Sequence, residues 1–125
     1  MNAIYQRYHQ TVYFFCVYIR EAHPTDGWQV PANHRDDVLH AQPQTANQRS
    51  QLAETCAVRL HLELPMLLDS MENTVDGLYA AWPERLYVVD AAGGIAYRGE
   101  PGPWGFDVDG WERAILEQQG ANQLP

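Results

Sequence analysis

The eight residues Val12–Ile19 form an apolar run rich in β-branched and aromatic side chains. Such a run reads as a strand buried on both faces, the pattern of a parallel α/β sheet. Polar groups gather where it should end. Glu21 and His23 are two apart, so an extended backbone points both to one side. Pro24, Asp26 and Gly27 then predict a sharp turn.

Ile4, Tyr5 and Tyr8 give a helical stripe over residues 2–10, and a long loop occupies about residues 21–44. Thr45 to Gln48 has capping-box spacing, with Leu52, Ala53, Cys56, Ala57 and Leu60 recurring at helical intervals behind it. Pro65–Leu68 predicts a short strand, and a helix starting at residues 73–76 should turn Val75, Leu78, Tyr79 and Trp82 inward. Arg85–Asp90 reads as a second strand and Ile95–Arg98 as its hairpin partner. The glycines and prolines of residues 99–105 predict a loop. Asp107 or Asp109 then caps a last helix, with Val108, Trp111 and Ile115 facing in and Gly120 ending it. No repeat or boundary divides residues 1–125, which read as a single domain.

Composition narrows the chemistry. With 46% apolar residues, a 125-residue chain can bury a core. No run reaches the roughly 18 apolar residues of a membrane span. A net charge of −8, with eight arginines and no basic cluster, argues against nucleic acid as a partner. Cys16 and Cys56 both sit in apolar contexts and read as reduced core thiols, which favours a cytoplasmic location.

In open α/β sheets, ligands bind beyond the carboxyl ends of the strands. Glu21 and His23 are therefore a candidate acid/base pair, and a structural hydrogen-bonded pair is the alternative. The motif from Tyr18 through Ile19, Arg20, Glu21, Ala22, His23, Pro24, Thr25, Asp26 and Gly27 to Trp28 resembles the signature of the iodothyronine deiodinases and their bacterial relatives. Residues 83–89, 95–99 and 102–104 resemble further family segments in the same order, so the likeness covers about residues 3–118.

That resemblance implies an α/β, thioredoxin-like three-layer αβα sandwich, with Trp82-Pro83 in cis. It implies an oxidoreductase in which a selenol or thiol carries out reductive dehalogenation or peroxide reduction. Glu21 and His23 match the family's acid and histidine as catalytic residues, and Thr25, Trp28, Pro83 and Trp104 fall along the substrate groove. For Trp28 and Trp104, packing is the alternative role. The expected partners are a small-molecule substrate and a thiol reductant acting as co-substrate, with no resident cofactor and no metal.

Two departures from the family pattern stand out. Pro43 occupies the place of a second histidine found in animal members, and in this the chain resembles the bacterial branch. The family's nucleophile is a selenocysteine or cysteine followed by two prolines, and Met1 falls inside the helix after it. The N-terminal strand carrying it, between Val12–Ile19 and Arg85–Asp90 in the family sheet, is thus expected to be missing. With strands about 4.8 Å apart, its loss leaves two edges roughly 10 Å apart, and such edges invite pairing. A second copy of the chain is one candidate partner there. An upstream UGA selenocysteine codon misread as a stop would account for this beginning, and an ordinary stop in the upstream frame would reject that hypothesis.

Cys16 is a poor substitute nucleophile, because a mid-strand apolar site raises a thiol's pKa. These 125 residues are therefore expected to show no turnover with dithiothreitol. The rival reading is a non-enzymatic binding or assembly module using exposed sheet edges. A metal-dependent hydrolase built on His34, Asp36, Asp37 and His40 is a third, set against a solvated loop, which their spacing suits better than a ligand set.

Overall fold

The computed structural model describes residues 1–28 and 40–121. Its elements are α1 (Asn2–Tyr8), β1 (Cys16–Tyr18), α2 (Ala46–Arg59), β2 (Met66–Leu68), α3 (Thr74–Tyr79), β3 (Tyr87–Val89), β4 (Ile95–Arg98) and α4 (Val108–Ala121). A parallel βαβ unit followed by an antiparallel hairpin and a closing helix belongs to the α/β, thioredoxin-like class. The strands form two two-stranded sheets, β1-β2 and β3-β4. The chain divides into two compact units, Asn2–Ala80 and the residues from Ala81 onward. Among the described residues, no helix is long and apolar enough to cross a membrane.

In the first unit β1 runs parallel to β2, with Cys16, Val17 and Tyr18 opposite Met66, Leu67 and Leu68. Backbone bonds extend the ladder at both ends, from Cys16 N–H to Pro65 O (2.8 Å) and from Asp69 N–H to Tyr18 O (2.9 Å). Regular strand covers only part of the predicted Val12–Ile19, and the run is not buried on both faces. Phe14 is buried, but its neighbours Tyr13 (93% exposed) and Phe15 (58%) face solvent. Alternation of side chains across an extended backbone puts them on opposite sides, and β1 has a ladder partner on one edge only among the described residues. Phe14 instead anchors α1, meeting Tyr5 edge to face at 5.6 Å and 89°. The Asn2 side chain fastens the same helix to the segment that follows α2, donating to His61 O and accepting from Glu63 N–H.

Thr45 caps α2 as predicted, its Oγ1 accepting from Gln48 N–H at 3.2 Å. Gln48 Oε1 reaches back to Gln44 N–H at 2.8 Å, one residue before the cap. Ala53 is the buried apolar position, whereas Leu60 lies beyond the helix end and is exposed. Arg49, on the same helix, is 2% exposed.

Helix α3 overturns its predicted inner face. Leu78 and Tyr79 are exposed and the buried residue is Asp76. The reason lies at its first turn, where Asp69 accepts from Val75 N–H and Asp76 N–H, both at 2.9 Å. Those bonds satisfy donors that a helix start leaves open and draw that side of the helix inward.

In the second unit β3 and β4 pair antiparallel from Tyr87↔Arg98, with an irregularity between Val88 and Val89. Asp90 Oδ1 closes the hairpin by accepting from Ala92 N–H (2.9 Å) and Gly94 N–H (2.8 Å), and Gly93 takes the left-handed φ of 88°. Asp107 is the cap of α4, accepting from Gly110 N–H at 2.8 Å. Leu86, Val88, Trp111, Ala114 and Ile115 form this unit's core, and Trp111 Nε1–H donates to Tyr87 O at 2.9 Å.

Candidate functional site

Beyond β1 the backbone leaves the extended state at Arg20. The Tyr18 hydroxyl, at the strand's last residue, donates to Glu21 Oε1. The Glu21 backbone is held from the other side by Gln42, whose Oε1 accepts from Glu21 N–H (3.0 Å) and whose Nε2–H donates to Glu21 O (3.3 Å). Gln42 N–H in turn donates to Asp26 Oδ1 at 2.9 Å, and Thr25 N–H to His40 O at 2.8 Å. Asp26 is thus more than turn chemistry: it ties residues 21–28 to the segment leading into α2.

His23 meets Trp28 twice. Nδ1 lies 3.3 Å from Trp28 O, and the rings sit edge to face with centroids 4.6 Å apart. Trp28 is exposed at 69%, so the indole rests on the imidazole rather than in a core. Gly27 N–H donates to Pro24 O at 3.0 Å, which makes the expected turn. The structure therefore joins Glu21 to Tyr18 and Gln42, and His23 to Trp28.

Burial pushes the Glu21 carboxyl above its ordinary value, and the charge of Arg49 partly offsets this. A carboxyl shifted upward is a better proton donor near neutral pH than an exposed one. The surrounding charges form a scaffold. Arg49 Nη1 donates to Asp69 O (3.2 Å) and Ser70 O (2.5 Å), and its Nη2 to Asn73 Oδ1 (2.8 Å). Arg20 Nε–H donates to Asp76 Oδ2 at 2.7 Å. Asp69 behaves oppositely to Glu21. Burial alone would raise it, yet the N–H groups of Asp76, Val75 and Ser70, with the Arg49 charge, bring it below the usual carboxylate value.

The thiols have no activating environment. Burial raises both, helped by Cys56 in the case of Cys16 and by the Glu21 charge in the case of Cys56. Both are free. His34, Asp36 and Asp37 lie outside the described residues.

Pro83 and Trp104 belong to the second unit. The Trp82-Pro83 bond is cis, as the resemblance implied, and Gly102-Pro103 is cis as well. Trp104 is 98% exposed, so its ring is not packed among the described residues, whereas Phe106 of the same loop is half-buried. Tyr18 stood among the apolar strand residues in the sequence reading, and only its spacing of three from Glu21 signalled the contact. Gln42 and Arg49 gave no signal, being polar residues on a loop and on a helix predicted from its apolar stripe.

Residues 2–120 match the family model described as iodothyronine deiodinase. The chain is 33% identical over 105 residues to a type I iodothyronine deiodinase of Xenopus laevis, covering 84% of the chain and 39% of that protein. It is 37% identical over 108 residues to a thyroxine 5-deiodinase of Rattus norvegicus (82% and 32% covered) and 36% identical over 108 residues to that of Homo sapiens (82% and 32%). The chain thus spans about a third of the length of these curated relatives.

Proposed function

The chain belongs to the iodothyronine deiodinase family, and from that premise we propose that it forms the proton-handling part of a selenol- or thiol-dependent reductive dehalogenase. In this reaction a chalcogenolate attacks the iodine of an aryl iodide. The carbon–iodine electron pair stays on carbon, which takes a proton, and the chalcogen leaves oxidised as its iodide. Two thiols then return it to the selenol or thiol, giving a disulfide, iodide and a proton. Peroxide reduction by the same group needs the same parts, since a proton must reach the leaving oxygen.

Glu21 supplies the proton, the Tyr18 hydroxyl orients its carboxyl, and His23 contacts the substrate with Trp28 at its side. The observation that carries this reading is the partly buried Glu21, raised in pKa and held by three hydrogen bonds, one from Tyr18 and two with Gln42, at the carboxyl end of β1. Thr25, between His23 and Trp28 in sequence, belongs to the same substrate-facing segment in this reading. The nucleophile is not one of the two cysteines, whose thiols burial keeps protonated.

Supplying the nucleophile separately tests the proposal. Benzeneselenol and an ortho-iodophenol are mixed with the protein, and iodide release is followed. Acceleration over free selenol, lost in Glu21→Gln and kept in Cys16→Ser, is the expected result. Equal rates for wild type and Glu21→Gln would overturn it. Dithiothreitol alone is expected to give no turnover.

A further inference from the structure

A chain of hydrogen bonds in the first unit runs from Arg49 to the Glu21 carboxyl. Arg49 Nη1 donates to Asp69 O at 3.2 Å, Asp69 N–H donates to Tyr18 O at 2.9 Å, and the Tyr18 hydroxyl donates to Glu21 Oε1. From the other side Gln42, just ahead of α2, grips the Glu21 backbone, and Arg49 stands in the first turn of that helix.

Both ends of this chain have unused bonding capacity. Arg49 commits Nη1 and Nη2 to Asp69 O, Ser70 O and Asn73 Oδ1, but its Nε is buried and meets no acceptor among the described residues. At 2% exposure the residue is shut off from solvent, and a buried donor left unmade is costly. On Glu21, Oε1 accepts from Tyr18 and Oε2 meets no donor among the described residues. A guanidinium N–H and a carboxylate oxygen are matched partners. Their charges already interact: burial raises the Glu21 carboxyl, and the Arg49 charge pulls it back. The other titratable groups nearby are committed. Burial, with the Glu21 charge adding to it, keeps the Cys56 thiol of α2 protonated, and burial does the same for Cys16 of β1. Asp69 is engaged by three backbone N–H groups, Asp26 by Gln42 N–H, and Arg20 turns to Asp76.

We propose that Arg49 is a positioning residue for Glu21, its Nε–H receiving the carboxylate that remains once Glu21 has given up its proton. The proton goes to the carbon that loses iodine, and the negative charge stays on Glu21. Nη1 and Nη2 keep their present acceptors, so the guanidinium acts as a fixed charge that sets how readily the acid releases its proton. This deepens the dehalogenase reading and rests on it for the role of the acid. The pairing itself needs no turnover.

Nitrogen-15 NMR of the arginine Nε–H groups tests the pairing in the wild type. The Arg49 signal should move with pH at the midpoint of the Glu21 carboxyl and stand still in Glu21→Gln, a comparison that needs no Arg49 variant to fold. Arg49→Gln removes the charge, and the Glu21 midpoint should then rise by about one pH unit; Arg49→Lys keeps the charge and should move it much less. Asn73→Ala removes an Arg49 contact without touching the charge, so it should lower the melting temperature and leave the midpoint in place. In iodide release with benzeneselenol, the rate should fall as pH rises past the Glu21 midpoint, because the acid must hold its proton to give it. Arg49→Gln should carry that fall upward with the midpoint. An Arg49 Nε–H signal indifferent to pH, or a Glu21 midpoint equal in wild type and Arg49→Gln, would overturn the proposal. A responsive Arg49 signal with iodide release indifferent to Glu21→Gln would sink the dehalogenase reading and spare the pairing.

Discussion

Glu21 and Asp69 are both partly or wholly withdrawn from water, yet their titrations move in opposite directions. The difference is in their donors. Asp69 is met by three backbone N–H groups and an arginine, which favour the ionised form. Glu21 has one hydroxyl donor and a more distant positive charge, which do not outweigh burial. A carboxyl with a raised folded pKa contributes stability below its unfolded value and loses it as pH rises through the folded value. Glu21→Gln should therefore melt higher than wild type at pH 7, and the gain should vanish below about pH 4. Asp69 obeys the opposite rule, so Asp69→Asn should be destabilised at neutral pH with a deficit that shrinks once pH falls below about 4. Thermal melts across pH 3–8 check both. Arg49 holds three acceptors from a site 2% exposed. Arg49→Met leaves them unpaired, and about 3 kcal/mol of lost stability in urea titration is expected.

At the level of elements, the N-terminal caps of α2 and α4 and the β3–β4 hairpin were legible from sequence because their determinants are local, whereas Gly120 lies within α4 rather than ending it and Asn73 makes no side-chain cap bond at α3. Thr45 and Gln48, Asp107 and Gly110, and Asp90 through Gly94 each contact residues a few positions away. Thr45→Ala should cost about 1 kcal/mol. The failures came where a distant partner decides. Asp69 captures the first turn of α3 from outside the helix and reverses its inner face, which no apolar stripe can reveal. Gln42 fastens Glu21 across 21 residues of chain, and Arg49 bonds residues 20 to 24 positions away. The candidate site was thus legible through its motif residues, Glu21, His23 and Trp28, and hidden in the groups that hold them.

For the whole molecule, the number of large apolar side chains in contact with water stands out. Tyr13, Phe15, Leu67 and Leu68 are all exposed on or beside the β1-β2 pair. Large apolar side chains left in water beside one pair of strands promote association, which is the observation favouring the rival assembly reading. Light scattering should find self-association that grows with protein concentration and is suppressed in the double variant Tyr13→Ser, Phe15→Ser. A monomer at every concentration would show that this surface attracts nothing.

The role given to Glu21 governs the functional account, and its ionisation can be observed directly. Carbon-13 NMR of the glutamate carboxyls, assigned with Glu21→Gln, should find one glutamate titrating above the ordinary value of 4.5, and higher still in Tyr18→Phe. A Glu21 carboxyl titrating at or below that value, unmoved by loss of the Tyr18 hydroxyl, would contradict the account.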